Sequence, residues 1–207
     1  MLILALDTST AQVSVAFGDH GEVLGAVQLA GGRRHAEQLA PAIDYLRREL
    51  AVDLGHVAAI AVGTGPGLFT GLRVGVTTAK VMAQALRIPV VGIPSLDLVA
   101  YPLRSSGRTI VAVLDARRRE VFALVAGEAT VLAPDTLQVE AGEICVGDGA
   151  VRYRALLEGN GAVVPPDDDE RHRPRARFHA QLAGALGPVE AIEPLYLRAP
   201  DAKKSAR

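Results

Sequence analysis

Residues 63–75 read Gly63-Thr64-Gly65-Pro66-Gly67-Leu68-Phe69-Thr70-Gly71-Leu72-Arg73-Val74-Gly75, five glycines in thirteen positions between an apolar run and a helix-forming stretch. Gly65, Pro66 and Gly67 suit a sharp strand-to-helix turn, because glycine tolerates positive φ and proline presets the φ of a helix start. Gly71 and Gly75 fall inside the helix, where each costs about 0.5–1 kcal/mol relative to alanine, so a close approach must compensate. With Ala79 and Ala83 they form a row at spacing four, expected to be a ridge against which another helix packs closely. The rival reading is a phosphate loop at a helix N-terminus. It lacks the Gly-Lys-Ser/Thr ending of a P-loop and the Gly-x-Gly-x-x-Gly spacing, so helix packing is preferred.

Outward from this block, Leu2–Leu6 is a short apolar strand that ends in Asp7-Thr8-Ser9-Thr10. Val13–Phe17 and Val23–Leu29 flank the turn Gly18-Asp19-His20-Gly21, a hairpin pattern. Apolar residues recur at helical spacing over 34–50, through Leu39, Ile43 and Leu46. Val57–Val62 is a strand, 68–86 the glycine-notched helix, Val90–Ile93 a strand, and a short helix follows Pro94. The first half therefore reads βββαβαβα. After Ser105-Ser106-Gly107 the theme recurs in weaker form: a strand from Thr109 ends in Asp115, two more strands follow, then Ile144–Val146 and helices expected over 150–157 and 177–186. We place a first lobe at 1–103 and a second, degenerate lobe at 104–207 that carries the C-terminal helix and a disordered tail at 203–207.

Bulk properties exclude several classes. A chain of 207 residues with 49% hydrophobic content can bury its own core. A single cysteine, Cys145, forbids an internal disulfide and fits a reducing, cytoplasmic setting. The apolar N-terminus stops at Asp7 without a basic flank, unlike a signal peptide, and no run approaches a membrane span. A formal charge of −1 argues against a surface basic all over, and the Arg171–Arg177 run after Asp167–Glu170 reads as a solvated loop.

Two tandem βββαβαβα copies, each opening on a strand that ends in aspartate, resemble the actin-like ATPase superfamily. The combination of Ile3–Thr10, His35 at the start of the first helix, Gly65–Arg73, Asp115-Ala116-Arg117 with Glu120-Val121, and Pro194–Arg198 resembles the TsaB (YeaZ) family. That resemblance implies a two-lobed actin-like α/β fold. It also implies a place in threonylcarbamoyladenosine modification of tRNA, as the partner of a catalytic paralogue, TsaD, with the ATPase TsaE docking on the pair. The contact would use the first-lobe helices, with His35, Leu39, Ile43, Leu46, Leu68, Gly71, Leu72, Gly75, Ala79 and Ala83 as interface residues. A homodimer through the same surface is the expected weaker alternative for the isolated chain, and tRNA contact is expected to be indirect.

The residues give little chemistry of their own. The five histidines include no pair three or four apart. The paralogue's His-x-x-x-His pair would fall on Ser95 and Val99, and valine cannot bind a metal. Neither His-Glu-x-x-His nor Gly-x-Ser-x-Gly is present, which argues against a peptidase. In the superfamily the first hairpin holds phosphate and magnesium, and Asp7, Thr8, Ser9 and Thr10 fit that role. Arg117, Arg118 and Arg119 occupy the second hairpin, where glycines would open a backbone cradle. We therefore expect no required cofactor, at most weak ATP or ADP binding, and a capped turn retained for folding at Asp7–Thr10. The alternatives kept open are an ATPase or small-molecule kinase of the same fold and, more distantly, a glycoprotease-like peptidase.

Overall fold

The computed structural model describes residues 1–197 except 31, 33, 126, 184 and 185; the tail expected to be disordered and Arg198 lie outside the described residues. The first sheet contains β1 (Leu2–Asp7), β2 (Gln12–Asp19), β3 (Glu22–Ala30), β4 (Ala59–Gly65) and β5 (Val90–Pro94), in the order β3-β2-β1-β4-β5. The hairpin strands are antiparallel, whereas β1 pairs in parallel with β4, and β4 with β5. Helix α1 (His35–Glu49) leads into β4, α2 (Phe69–Leu86) into β5, and α3 (Ser95–Ala100) follows β5. The expected βββαβαβα order is present.

Strand β1 is apolar on both faces because both are covered. Leu4 and Leu6 join Phe17, Leu39, Leu46, Val62 and Val76 in the layer beneath α1 and α2. Ile3 and Ala5 point the other way, to a cluster with Ala16, Ala61, Ile93 and Leu98. The small side chains of this second face admit a helix from far along the chain, α6 (Ala176–Leu182), which packs on β1 to β4.

That packing corrects the domain boundary. The C-terminal stretch does not stay with the second lobe: Gly187 bridges to Val90, Ile192 packs against the first-lobe core, and the Leu195 N–H donates to the Thr64 carbonyl at 2.7 Å. The alanine-lined outer face of the first sheet would otherwise be bare, and α6 covers it, while Val189 and Ile192 further on pack against the layer on the α2 side. The last helix is also shorter than expected, ending at Leu182, with residues 184 and 185 outside the described set.

The second lobe repeats the first in reduced form. Strands β6 (Ile110–Arg117), β7 (Glu120–Val125), β8 (Glu128–Leu132) and β9 (Ile144–Val146) take the order β8-β7-β6-β9, the same as β3-β2-β1-β4. Between β8 and β9 a 3-10 turn at Pro134–Thr136 stands where the first lobe has α1. The single helix expected over 150–157 is two, α4 (Asp148–Arg152) and α5 (Arg154–Gly159), broken at Tyr153 with φ −111° and ψ 25°. A lone parallel bridge from Ile144 to Val163 marks where a fifth strand would lie. Among the described residues no helix is long and apolar enough to cross a membrane.

Candidate functional site

Asp7 ends β1 and Asp115 lies two residues before the end of β6; Ser9 and Thr10 after the first meet Asp115 and Arg117 across a small cavity, and both carboxylates are engaged by the chain itself. Asp7 is 2% exposed. Its Oδ1 accepts from the Ser9 N–H at 2.9 Å and from the Ser9 hydroxyl at 2.8 Å, and its Oδ2 lies 3.1 Å from His179 Nε2 of α6. The Thr8 hydroxyl donates to the Gly71 carbonyl at 2.7 Å, and His35 Nε2 lies 2.7 Å from the Thr10 carbonyl. The hairpin is thus stitched to α1, α2 and α6. His179 was missed in the sequence because its partner lies 172 residues away and no local pattern links them.

Asp115 has a side chain only 5% exposed, held by Arg117 and Arg152, each at 3.0 Å. Its backbone N–H donates to Asp148 Oδ1 at 2.9 Å. Burial is the main cause pushing the Asp148 carboxyl above the usual aspartate range, with the Asp115 charge adding to it. Arg117, Arg118 and Arg119 carry φ of 63°, 51° and 64°, so the turn sits in left-handed backbone without glycine, and the Arg117 side chain folds back over Asp115. The cavity between the hairpins, lined by Ser9, Thr10, Gly67, Asp115, Arg117 and Asp148, measures about 20 Å³. That is about the room one water needs. A neighbouring cavity of about 100 Å³ is walled by Phe69, Arg117, Phe122, Leu195 and Tyr196. Tyr196 straps this side: its ring centroid is 4.9 Å from that of Phe69, and its hydroxyl lies 3.3 Å from Arg73 Nε.

Ser95 and Val99, where a metal pair would fall, are both fully buried, Ser95 at the first position of α3 and Val99 next to its last. Among the described residues no group of three or more His, Cys, Asp or Glu side chains is placed to hold a metal ion.

The interface residues expected on α1 and α2 require correction. His35, Leu39, Ile43, Leu46, Gly71, Leu72, Gly75, Ala79 and Ala83 are all buried within this chain, and Leu68 is half-buried. The glycine row meets the end of β1, not a partner helix: a Cβ on Gly71 would lie 2.0 Å from the Thr8 carbonyl oxygen, and one on Gly75 2.3 Å from Thr8 Oγ1. Helices α1 and α2 form where the sequence spacing places them, but their outward faces are other residues. Ala36, Ala40 and Tyr45 on α1, with Arg73, Thr77 and Val81 on α2, face solvent, Tyr45 at 55% and Val81 at 58% exposure. Between them lies an open groove of about 380 Å³, floored by Leu39 and Val74.

Comparison with known proteins gives this geometry its relatives. A protein of Mycobacterium tuberculosis described as uncharacterized is 36% identical over 213 residues, covering 99% of this chain and 95% of its own. The Escherichia coli tRNA threonylcarbamoyladenosine biosynthesis protein TsaB is 32% identical over 222 residues, covering 96% of this chain and 95% of its own. The chain belongs to the TsaB (YeaZ) family. The family model described as TsaD, tRNA N6-adenosine threonylcarbamoyltransferase, matches residues 22–157. The solved structure of YeaZ from Pseudomonas aeruginosa superposes with a TM-score of 0.79 at 31% identity, covering 95% of this chain and 99% of that one. The two-lobed actin-like α/β architecture expected from the sequence is the one found.

Proposed function

We propose that this member of the TsaB family is a non-catalytic subunit in threonylcarbamoyladenosine modification of tRNA, acting in the cytoplasm. It pairs with the catalytic paralogue TsaD, and the pair provides a docking platform for TsaE. The observation that carries the reading is that both cleft carboxylates are spent on internal partners, Asp7 on Ser9 and His179, Asp115 on Arg117 and Arg152. The cavity between the two hairpins, about 20 Å³, is far smaller than a nucleotide site of several hundred Å³. Weak ATP or ADP binding would therefore need the Arg117 and Tyr196 side to open.

The partner surface in this proposal is the outward face of α1 and α2. Small side chains at Ala36, Ala40 and Thr77 let a helix approach closely, and exposed Tyr45 and Val81 supply apolar area. The same patch serves a weaker two-fold homodimer when the chain is alone.

The test is co-expression with the paralogue, with tRNA modification assayed in the presence and absence of this chain. Val81→Asp should leave the melt of the isolated chain within about 0.5 kcal/mol of the parent, as for an exposed site. It should abolish capture of the paralogue and support of modification. Phosphate release from ATP and magnesium by the purified chain, abolished by Asp7→Ala, would overturn the non-catalytic reading.

A further inference from the structure

The Arg171–Arg177 run is not the solvated loop its sequence suggests. Arg173 and Arg175 are both extended, with φ of −130° and −129°, so their side chains leave the backbone on the same side across Pro174. Arg177 follows in the first turn of α6. The Ala176 N–H donates to the Ser14 hydroxyl at 3.0 Å, which pins the run against β2. A cavity of about 160 Å³ opens there, lined by Ser14, Ala26, Val27, Gln28, Arg175 and Arg177.

The charges around it do not balance. Glu170 is shared: its carboxylate lies 3.1 Å from Arg175 Nη1 and also contacts Arg177 Nη2. Arg173 faces a neutral partner, the Gln12 amide, whose oxygen when turned toward it accepts at 2.8 and 3.0 Å. The adjacent Arg171 is already paired with Asp169. Two guanidinium groups, Arg175 and Arg177, therefore share one carboxylate, and Arg173 beside them has only a neutral partner. The Nε atoms of Arg175 and Arg177 are both buried with no acceptor, a costly state for a charged donor. Burial, with Arg177 and Arg173 adding to it, pushes the Arg175 guanidinium below its ordinary range despite Glu170.

We propose that Arg173, Arg175 and Arg177, with Ser14 and Gln28, form a binding site for a phosphate group. A tetrahedral oxyanion presents acceptors in several directions and up to two negative charges, which match donors arriving from separate side chains and a surplus of two positive charges. A carboxylate offers one charge and two coplanar oxygens. The phosphate can come from a small phosphate ester or from an RNA backbone. The proposal does not depend on pairing with TsaD, so failure of either leaves the other standing.

The full chain is melted in increasing sodium phosphate, with sodium chloride matching the ionic strength. Saturable protection by phosphate is expected. In Arg173→Gln/Arg177→Gln the apparent affinity should fall about tenfold or more, the scale of lost charge-assisted hydrogen bonds. In Glu170→Gln, which removes the competing carboxylate, it should rise. That second variant decides the matter even where the arginine variant folds poorly. Binding of a labelled tRNA transcript is then followed over a salt series. A salt slope shallower by about 1 or more in the arginine variant assigns the phosphate to RNA. Phosphate protection with an unchanged slope assigns it to a small ester. No saturable phosphate effect in either the parent or Glu170→Gln overturns the proposal.

Discussion

Substitution of Gly75 by alanine should destabilise this protein, and a second substitution should reverse the sign. Alanine is the better helix former by about 1 kcal/mol, so on α2 taken alone Gly75→Ala is a gain. In the folded chain the new methyl would lie 2.3 Å from Thr8 Oγ1, far inside contact distance, while Thr8 Cβ at 3.6 Å and Val62 Cγ2 at 3.8 Å are ordinary neighbours. The whole conflict is with one hydroxyl. Thr8 is buried and that hydroxyl donates to the Gly71 carbonyl, so turning it away loses a buried hydrogen bond of about 1 kcal/mol and strains the packing by about 1–3 kcal/mol more. Gly75→Ala should therefore cost about 1–3 kcal/mol net, the helix gain offsetting part of the clash.

In a Thr8→Ala background the obstructing oxygen is gone. Gly75→Ala should then be neutral or stabilising by up to about 1 kcal/mol, giving a coupling energy of about 1–4 kcal/mol across the cycle. Gly71→Ala behaves differently, because its methyl would meet the Thr8 backbone carbonyl at 2.0 Å, which no side-chain change at Thr8 removes. Urea unfolding of the parent, the three single variants and the two double variants reads these numbers from shifts in midpoint at constant m-value. If Thr8→Ala and Gly75→Ala simply add, or if Gly75→Ala stabilises the parent, the glycine row does not face β1 and its assignment to the chain's own interior is wrong.

Two further outcomes follow from titratable groups. Burial pushes the Cys145 thiol up to about 12, with the Glu143 charge adding to it, so an alkylating reagent at pH 8 should leave it unmodified in the folded chain and react once urea unfolds it. Asp169 is held at about 2, chiefly by its hydrogen bond from Arg171, against an ordinary aspartate value of 3.8. Its folded pKa is lowered, so the stability it contributes is fully present above about pH 4 and is lost as pH falls toward 2. Asp169→Asn should flatten that part of the acid unfolding profile while leaving a high-pH comparison free of any further pH-dependent difference.

The first lobe was legible because its signals are local. Alternation in β2 and β3, the helical spacing of Leu39, Ile43 and Leu46, and the strand ending in Asp7 each fix an element within a few residues. What the sequence withheld is long-range. Nothing near Ala176–Leu182 says that this helix crosses to the outer face of β1 to β4, where His179 meets Asp7; only the run of small side chains at Ala5, Ala16 and Ala61 hints that some backbone must come close there. Arg173, Arg175 and Arg177 had no legible site for the same reason, since the residues they meet, Gln12, Ser14 and Gln28, lie on strands at the other end of the chain.

The misreading of α2 shows how this class of error arises and what it means for function. Gly71, Gly75, Ala79 and Ala83 at spacing four state only that something approaches the helix closely; they are silent on whether it belongs to the same chain. Here it is Thr8, one residue beyond Asp7, so the row that permits close packing also fixes the first hairpin. With Ser9 and His179 on Asp7, and Arg117 and Arg152 on Asp115, both hairpins become braces between elements. A fold whose hairpins brace its own interior has only its outer surfaces for partners, and on α1 and α2 those surfaces are Ala36, Ala40, Tyr45, Thr77 and Val81 rather than the glycine row. An interface variant of this protein is therefore informative only at outward positions, because a substitution on the glycine row changes folding first and binding as a consequence.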